Sequence, residues 1–351
     1  MTDTEDWPDF RGCCGNLEQS FVASRPSSAK TVFLTTEDGR LVTDWNFLMN
    51  AVLVVDKPAG LTSHDVVNRV RRILMQRSVG HLGTLDPLAT GVLPLVVGNL
   101  TRLAQFYTSS EKTYEGTIRF GFATNTYDAD GEATGTAQSV DLSVEQVQEL
   151  AARFRGVIRQ MPPPFSAKKI QGVPAYKLAR KMKDVTLEPV MVEIKEFEIR
   201  SCQGDRAAFR ARVASGTYMR SVAHDMGREL GCGGHLASLR RTGVGEFEIV
   251  DAHTLEQVAE AHSLGRTEEI FVHPRKLLPE MPSVTAGDDV AALVRSGRAV
   301  NLPEFSRARM VKVFYGQREL IAIASRVAGT LFHPKIVLAA ESQRKVARVE
   351  G

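Results

Sequence analysis

A chain of 351 residues with 44 Lys and Arg against 41 Asp and Glu, a net charge of +3 and 43% hydrophobic residues has the composition of an ordinary globular protein, long enough for two domains. No apolar run approaches the roughly 18 residues a membrane-crossing helix needs, and the N-terminal residues lack the basic and apolar blocks of a secretory signal. Cys13, Cys14, Cys202 and Cys232 form no CxxC pair, which argues against zinc and a disulfide framework and for a reducing cytosol.

Residues 1–48 show no sustained periodicity and read as a loop or disordered extension. Residues 1–50 hold eight carboxylates against four cations, so the remaining 301 carry a net +7. Organised sequence begins at Met49, which is expected to be the true start. An apolar strand, Ala51–Asp56, runs into the Lys57-Pro-Ala-Gly60 turn. Thr62 or Ser63 then caps a helix with Val66, Val67, Val70, Ile73 and Leu74 on its inner face. Tyr114–Phe122 alternates as a strand and ends in the turn-rich Thr124–Gly131. Asp128 and Asp130 there suggest a calcium loop, but position 12 of that register is Ala137 rather than Glu, and the metal reading fails.

Ser143-Val-Glu-Gln146 is a capping box that opens a second helix, and Pro162-Pro-Pro164 stops regular structure. Val190–Arg200 changes phase between Ile194 and Phe197, which predicts a bulge near Lys195–Glu196. Ala207, Phe209, Ala211 and Val213 line one face of the next strand. A helix bearing Val222, Met226 and Leu230 follows Ser215–Tyr218, then a strand over Leu239–Ile249, then a helix capped by Thr254. Val272–Pro282 reads as a linker before a small β-rich region, Ser283–Leu338. Strands in runs with inserted helices argue for an α+β fold. Basic residues cluster at Arg69–Arg77, Lys168–Lys183 and Arg240–Arg241, which fits either solvated faces or phosphate contacts.

Gly80-His-Leu-Gly-Thr-Leu-Asp-Pro-Leu-Ala-Thr-Gly-Val-Leu-Pro-Leu95 carries the most information. Among Lys, Arg, Asp and Glu, Asp86 is the single member between Arg77 and Arg102, set among glycines, prolines and aliphatics. Such surroundings predict partial burial, which a carboxylate tolerates when a cation or donor meets it. Two readings remain open on spacing: an active-site carboxylate, or a turn-initiating Asp before Pro87. No GxGxxG, Walker-type or GxSxG motif accompanies it, so no cofactor and no metal is expected.

This stretch resembles the catalytic motif of the TruB family of tRNA pseudouridine synthases. Asp56-Lys-Pro-Ala-Gly-Leu-Thr-Ser63, Glu111-Lys-Thr-Tyr114, Gln160–Lys168, Ser215-Gly-Thr-Tyr-Met-Arg220 and His235–Arg241 resemble further family segments, in the family's order. The resemblance implies a mixed, mainly antiparallel sheet over residues 49–272, with an inserted RNA-binding segment after the Pro-Pro motif. A PUA-like domain over 283–340 is implied as well. It assigns Asp86 as nucleophile or base, Arg220 as its cation and Tyr114 as the surface stacking on an extruded uracil. His81, Tyr218, Lys57 and Leu239 are implied to bind or frame the substrate. The partner implied is the T-arm of tRNA, met by a monomer in the cytoplasm, with the target base flipped into a pocket. Three other readings stay open: an RNA-folding factor on the same fold, a guide-dependent synthase inside a multiprotein particle, and an RNA N-glycosidase. The last lacks the second carboxylate that water activation needs.

Overall fold

The computed structural model describes residues 49–164 and 188–338, with the backbone of four short strands at 33–35, 41–43, 169–170 and 173–174. The chain divides into two units, residues 1–47 and 48–351. In the first, Phe33–Thr35 (β1) and Leu41–Thr43 (β2) pair antiparallel, so this stretch is not wholly without regular structure; the rest of the expected extension lies outside the described residues. Most of the basic segment Lys168–Lys183 does too; Lys169–Ile170 (β10) and Val173–Pro174 (β11), which pair with each other, are described within it.

The second unit is built on a nine-stranded sheet and a five-stranded sheet. The larger contains Ala51–Lys57 (β3), Val79–His81 (β4), Thr90–Val97 (β5), Lys112–Phe120 (β6), Gly156–Gln160 (β9), Val190–Gln203 (β12), Arg206–Val213 (β13), Gly234–Val244 (β14) and Phe247–Glu248 (β15). A separate ribbon pairs Ala123–Thr124 (β7) with Ala133–Thr134 (β8). The main path runs β3-β5-β14-β6-β13-β12-β9; β4 pairs with β5 and β15 with β14. Its pairs are antiparallel except β5 with β14. The smaller sheet takes Ser283–Ala286 (β16), Val300–Asn301 (β17), Met310–Tyr315 (β18), Glu319–Ala328 (β19) and Leu331–Val337 (β20) in the order β16-β18-β19-β20-β17. Among the described residues no helix is long and apolar enough to cross a membrane.

Local chemistry explains the elements. Thr62 accepts from Asp65 N–H while Asp65 accepts from Thr62 N–H, a reciprocal cap on the helix Ser63–Ile73. Ser143 and Thr254 cap their helices in the same way. Residues of β3 alternate between two apolar clusters, Leu53 and Val55 facing one, Val52 and Val54 the other, so the strand is buried on both faces. The second cluster also contains Phe314, Ile323 and Ile336 from the smaller sheet, which therefore shares core with the larger.

The bulge falls between Ile194 and Glu196, with a second irregularity between Ile199 and Ser201. The strand expected over Leu239–Ile249 is different: β14 starts at Gly234 and ends at Val244, and the chain turns back into β15. The turn at Gly245, with φ +53°, breaks what reads in sequence as one strand. The 272–282 stretch is packed rather than free, since Val272 N–H donates to Val52 O and Leu277 is fully buried.

Candidate active site

Asp86 stands in the loop between β4 and β5, which is fastened on several sides. Ala89 N–H donates to Asp86 O at 3.1 Å, and Gly60 N–H donates to Pro87 O at 2.9 Å. The hydroxyl of Ser63, at the start of the first helix of this unit, donates to Leu85 O (3.1 Å) and accepts from Leu85 N–H (2.8 Å). Lys57 is fully buried, and its ammonium donates to Leu61 O (2.6 Å), Pro58 O (2.8 Å) and Pro87 O (3.3 Å). Burial lowers its pKa to about 8 against the pull of Asp86. Lys57 thus ties the turn to the Asp86 loop, in keeping with a part in the site's architecture, and is not among the residues that line the cavity.

The loop forms one side of a cavity of about 620 Å³ lined by Asp86, His81, Tyr114, Tyr218, Arg220 and Leu239, among others. Six of the seven residues singled out in the sequence therefore meet in one place. Arg220 Nε lies 2.9 Å from Asp86 Oδ2, with the arginine side chain 5% exposed and the carboxylate 38% exposed toward the cavity. Crowding by protein pushes the Asp86 carboxyl above the usual range, and Arg220 opposes that shift. Tyr218 caps the helix Met219–Glu229 and is fixed by Gln160, whose amide accepts from Tyr218 N–H (2.8 Å) and donates to Tyr218 O (3.1 Å). His81 Nδ1 accepts from Gly83 N–H at 3.3 Å, and burial holds its pKa below the usual imidazole value.

Four residues that carry this geometry were not singled out as site residues in the sequence. Asp128 is buried and lies 3.5 Å from the other end of the Arg220 guanidinium, so one arginine bridges two carboxylates. Its second oxygen accepts from Thr126 Oγ1 (2.6 Å) and Asp130 N–H (3.2 Å). The acidic turn that mimics a calcium loop is therefore a mount for Arg220. Arg241 is also buried, and its nitrogens donate to Val92 O (2.8 Å), Thr84 O (3.1 Å) and Gly83 O (3.1 Å). It props the Asp86 loop from the β14 side, beside its cross-strand partner Tyr114.

Only glycine fits at Gly91, where φ is +98° and a Cβ would lie 2.2 Å from Arg241 O. Arg240 pairs with Asp56 at 2.7 Å. Arg241 is withdrawn from any phosphate contact, whereas Arg240 stays partly exposed. Gln160 is the third omission, and Lys112, on the cavity wall, is the fourth. Arg241 was legible only as one of two adjacent cations, Asp128 only as part of a failed metal motif.

The description "TruB family pseudouridylate synthase (N terminal domain)" fits residues 71–219, and "tRNA pseudouridylate synthase B C-terminal domain" fits residues 220–280. A protein of Solibacter usitatus named tRNA pseudouridine synthase B is 48% identical over 293 residues, 83% of this chain and 100% of that one. The chain belongs to the TruB family. An Aquifex aeolicus relative of the same name is 38% identical over 292 residues, again 83% of this chain and all of the relative. A crystal structure of a Cbf5-Nop10-Gar1 complex contains a chain that matches with a TM-score of 0.63 at 23% identity, covering 88% of this chain and 94% of that one, a likeness of fold. The two TruB segments meet at Met219–Arg220, so the cavity draws Asp86 and Tyr114 from one and Arg220, Leu239 and Arg241 from the other.

Proposed function

We propose that this chain converts the T-loop uridine at position 55 of tRNA into pseudouridine, acting alone as a monomer in the cytoplasm. The observation that carries the reading is a single carboxylate, Asp86, facing an open cavity and held at 2.9 Å by a buried arginine. The names of the relatives supply the substrate class.

The reaction breaks the bond from C1′ to N1 of uracil, turns the base and forms a bond from C1′ to C5. The proton lost from C5 balances the one gained at N1, so the product is an isomer and no external reactant is consumed. One ionised carboxylate acting on sugar or base suffices as nucleophile or base. Asp86 takes that part, and Arg220 favours its charged form. Tyr114 offers a ring for the extruded uracil, Leu239 and Tyr218 close the apolar sides, and His81 holds the flipped nucleotide at the rim. Extrusion costs a few kcal/mol, offset by contacts to the RNA loop and its phosphates. Residues 283–340 form a PUA-like domain that meets the acceptor end.

The test is tritium release from C5-labelled T-arm hairpin RNA by the purified protein. Wild type turns over unaided, whereas Asp86→Asn binds the hairpin with no measurable turnover. Substantial turnover by Asp86→Asn would refute the assignment of the carboxylate, and an inactive wild type that gains activity only with a guide RNA and partners would refute the stand-alone reading.

A further inference from the structure

Among the described residues, the cavity wall carries three cations, Lys112, Arg220 and Arg241, against one carboxylate, Asp86. Arg220 is matched by Asp86 and Asp128, and Arg241 donates to three carbonyls. Lys112 differs from both. It is 9% exposed, and its ammonium donates to Ser110 O (2.6 Å) and Ser215 Oγ (3.2 Å), with no carboxylate in ion-pair reach among the described residues. Ser215 Oγ in turn donates to Thr108 O at 2.6 Å, so the hydroxyl is oriented with its lone pairs toward the ammonium.

A partly buried ammonium without a counter-charge is costly, and the neighbouring Arg241 adds repulsion. A charge kept at the wall of a ligand cavity under those conditions fits an anion that arrives with the ligand. Uracil is neutral, and the anionic part of a ribonucleotide within a strand is its phosphodiester. Resting on the proposed RNA substrate, we propose that Lys112 receives a phosphodiester oxygen flanking the flipped uridine, with Ser215 holding the ammonium at the cavity wall. Lys112 is then a substrate-anchoring residue with no share in the bond chemistry, and it fixes how deep the nucleotide enters toward Asp86.

The experiment measures binding of the T-arm hairpin and of a uridine-rich non-substrate RNA across a salt series, with turnover on the hairpin alongside. Lys112→Gln keeps a donor for Ser110 O but no charge; Lys112→Arg keeps the charge. Lys112→Gln is expected to weaken hairpin binding about tenfold and to reduce the log–log salt slope by about one. The loss falls on KM rather than kcat, and Lys112→Arg restores the slope. An unchanged slope in Lys112→Gln, or a fall in kcat at unchanged KM, would overturn the proposal.

A second arm can be decided on the wild-type protein alone and is sharpened by the variant. Neutralising single phosphates as methylphosphonates is expected to weaken wild-type binding at one position beside the target uridine, and to cause no further loss in Lys112→Gln. If no flanking phosphate matters to the wild type, the proposal fails. Wild-type inactivity on the hairpin would instead sink the tRNA reading, while the salt slopes on both RNAs still decide on Lys112.

Discussion

The two sheets of the larger unit bury polar groups in different ways. Around the nine-stranded sheet lie buried Lys57, Lys112, Asp128, Arg220, His235 and Arg241; in the five-stranded sheet Lys312 is the one charged residue so placed among those described. Lys57, Lys112, Asp128, Arg220 and Arg241 converge on one loop and one cavity, whereas Lys312 donates to Leu277 O (2.6 Å) and Arg275 O (3.3 Å) and serves a connector. Buried charge in this molecule therefore marks either a carboxylate that must be aimed or a junction that must be held. Apolar packing supplies the rest.

Three measurements sharpen or break that contrast. The largest effect is expected from Arg241→Met, which leaves the carbonyls of Gly83, Thr84 and Val92 without their donor. Chemical denaturation should give a loss of about 3 kcal/mol or more, with turnover on T-arm RNA reduced at least 100-fold in the folded fraction. A stable, active Arg241→Met protein would mean the loop aims Asp86 unaided.

The next effect is pH-linked and belongs to Lys57. Its folded pKa of about 8 lies below the ordinary 10.5, so between those values the unfolded chain binds more protons and stability rises with pH. Below pH 8 both states are charged and the slope vanishes. Denaturation at pH 7 and pH 10 should show wild type gaining up to about 3 kcal/mol relative to Lys57→Met; equal pH profiles would show that burial does not strain this ammonium. The smallest effect is expected from Lys312→Met, where a similar volume without charge should shift stability by about 1 kcal/mol or less and leave kcat/KM on T-arm RNA within a few-fold. A large activity loss there would make the smaller sheet part of the catalytic apparatus.

Much of the frame is readable from the chain alone. Capping boxes at Ser143 and Thr254, the alternation of β13 and the phase change at Lys195 each depend on neighbours within a few residues, and the structure agrees with them. Asp86 stands out for a local reason too, a charge among apolar residues. Arg241 and Asp128 are different, because their roles depend on partners about 150 and 92 positions away along the chain. A basic pair looks the same in sequence whether it faces water, as a phosphate site would, or reaches under a loop. The parallel pairing of β14 with β5 decides between them, and no local pattern encodes that register. The break at Gly245 was missed although its signal is local, a glycine between Val244 and Glu246 inside a segment read as one strand.

The hydrogen bonds at Tyr107 have a mechanical consequence. Its hydroxyl, on a residue that lines the cavity, donates to Glu246 at 2.7 Å, and the same carboxylate oxygen accepts from Leu278 N–H at 2.9 Å. One residue earlier, Leu277 O is gripped by Lys312 of β18. The smaller sheet is thereby an arm of set length braced against the wall of the reaction chamber. A displacement of that sheet would pull on the same carboxylate that holds Tyr107 at the cavity wall.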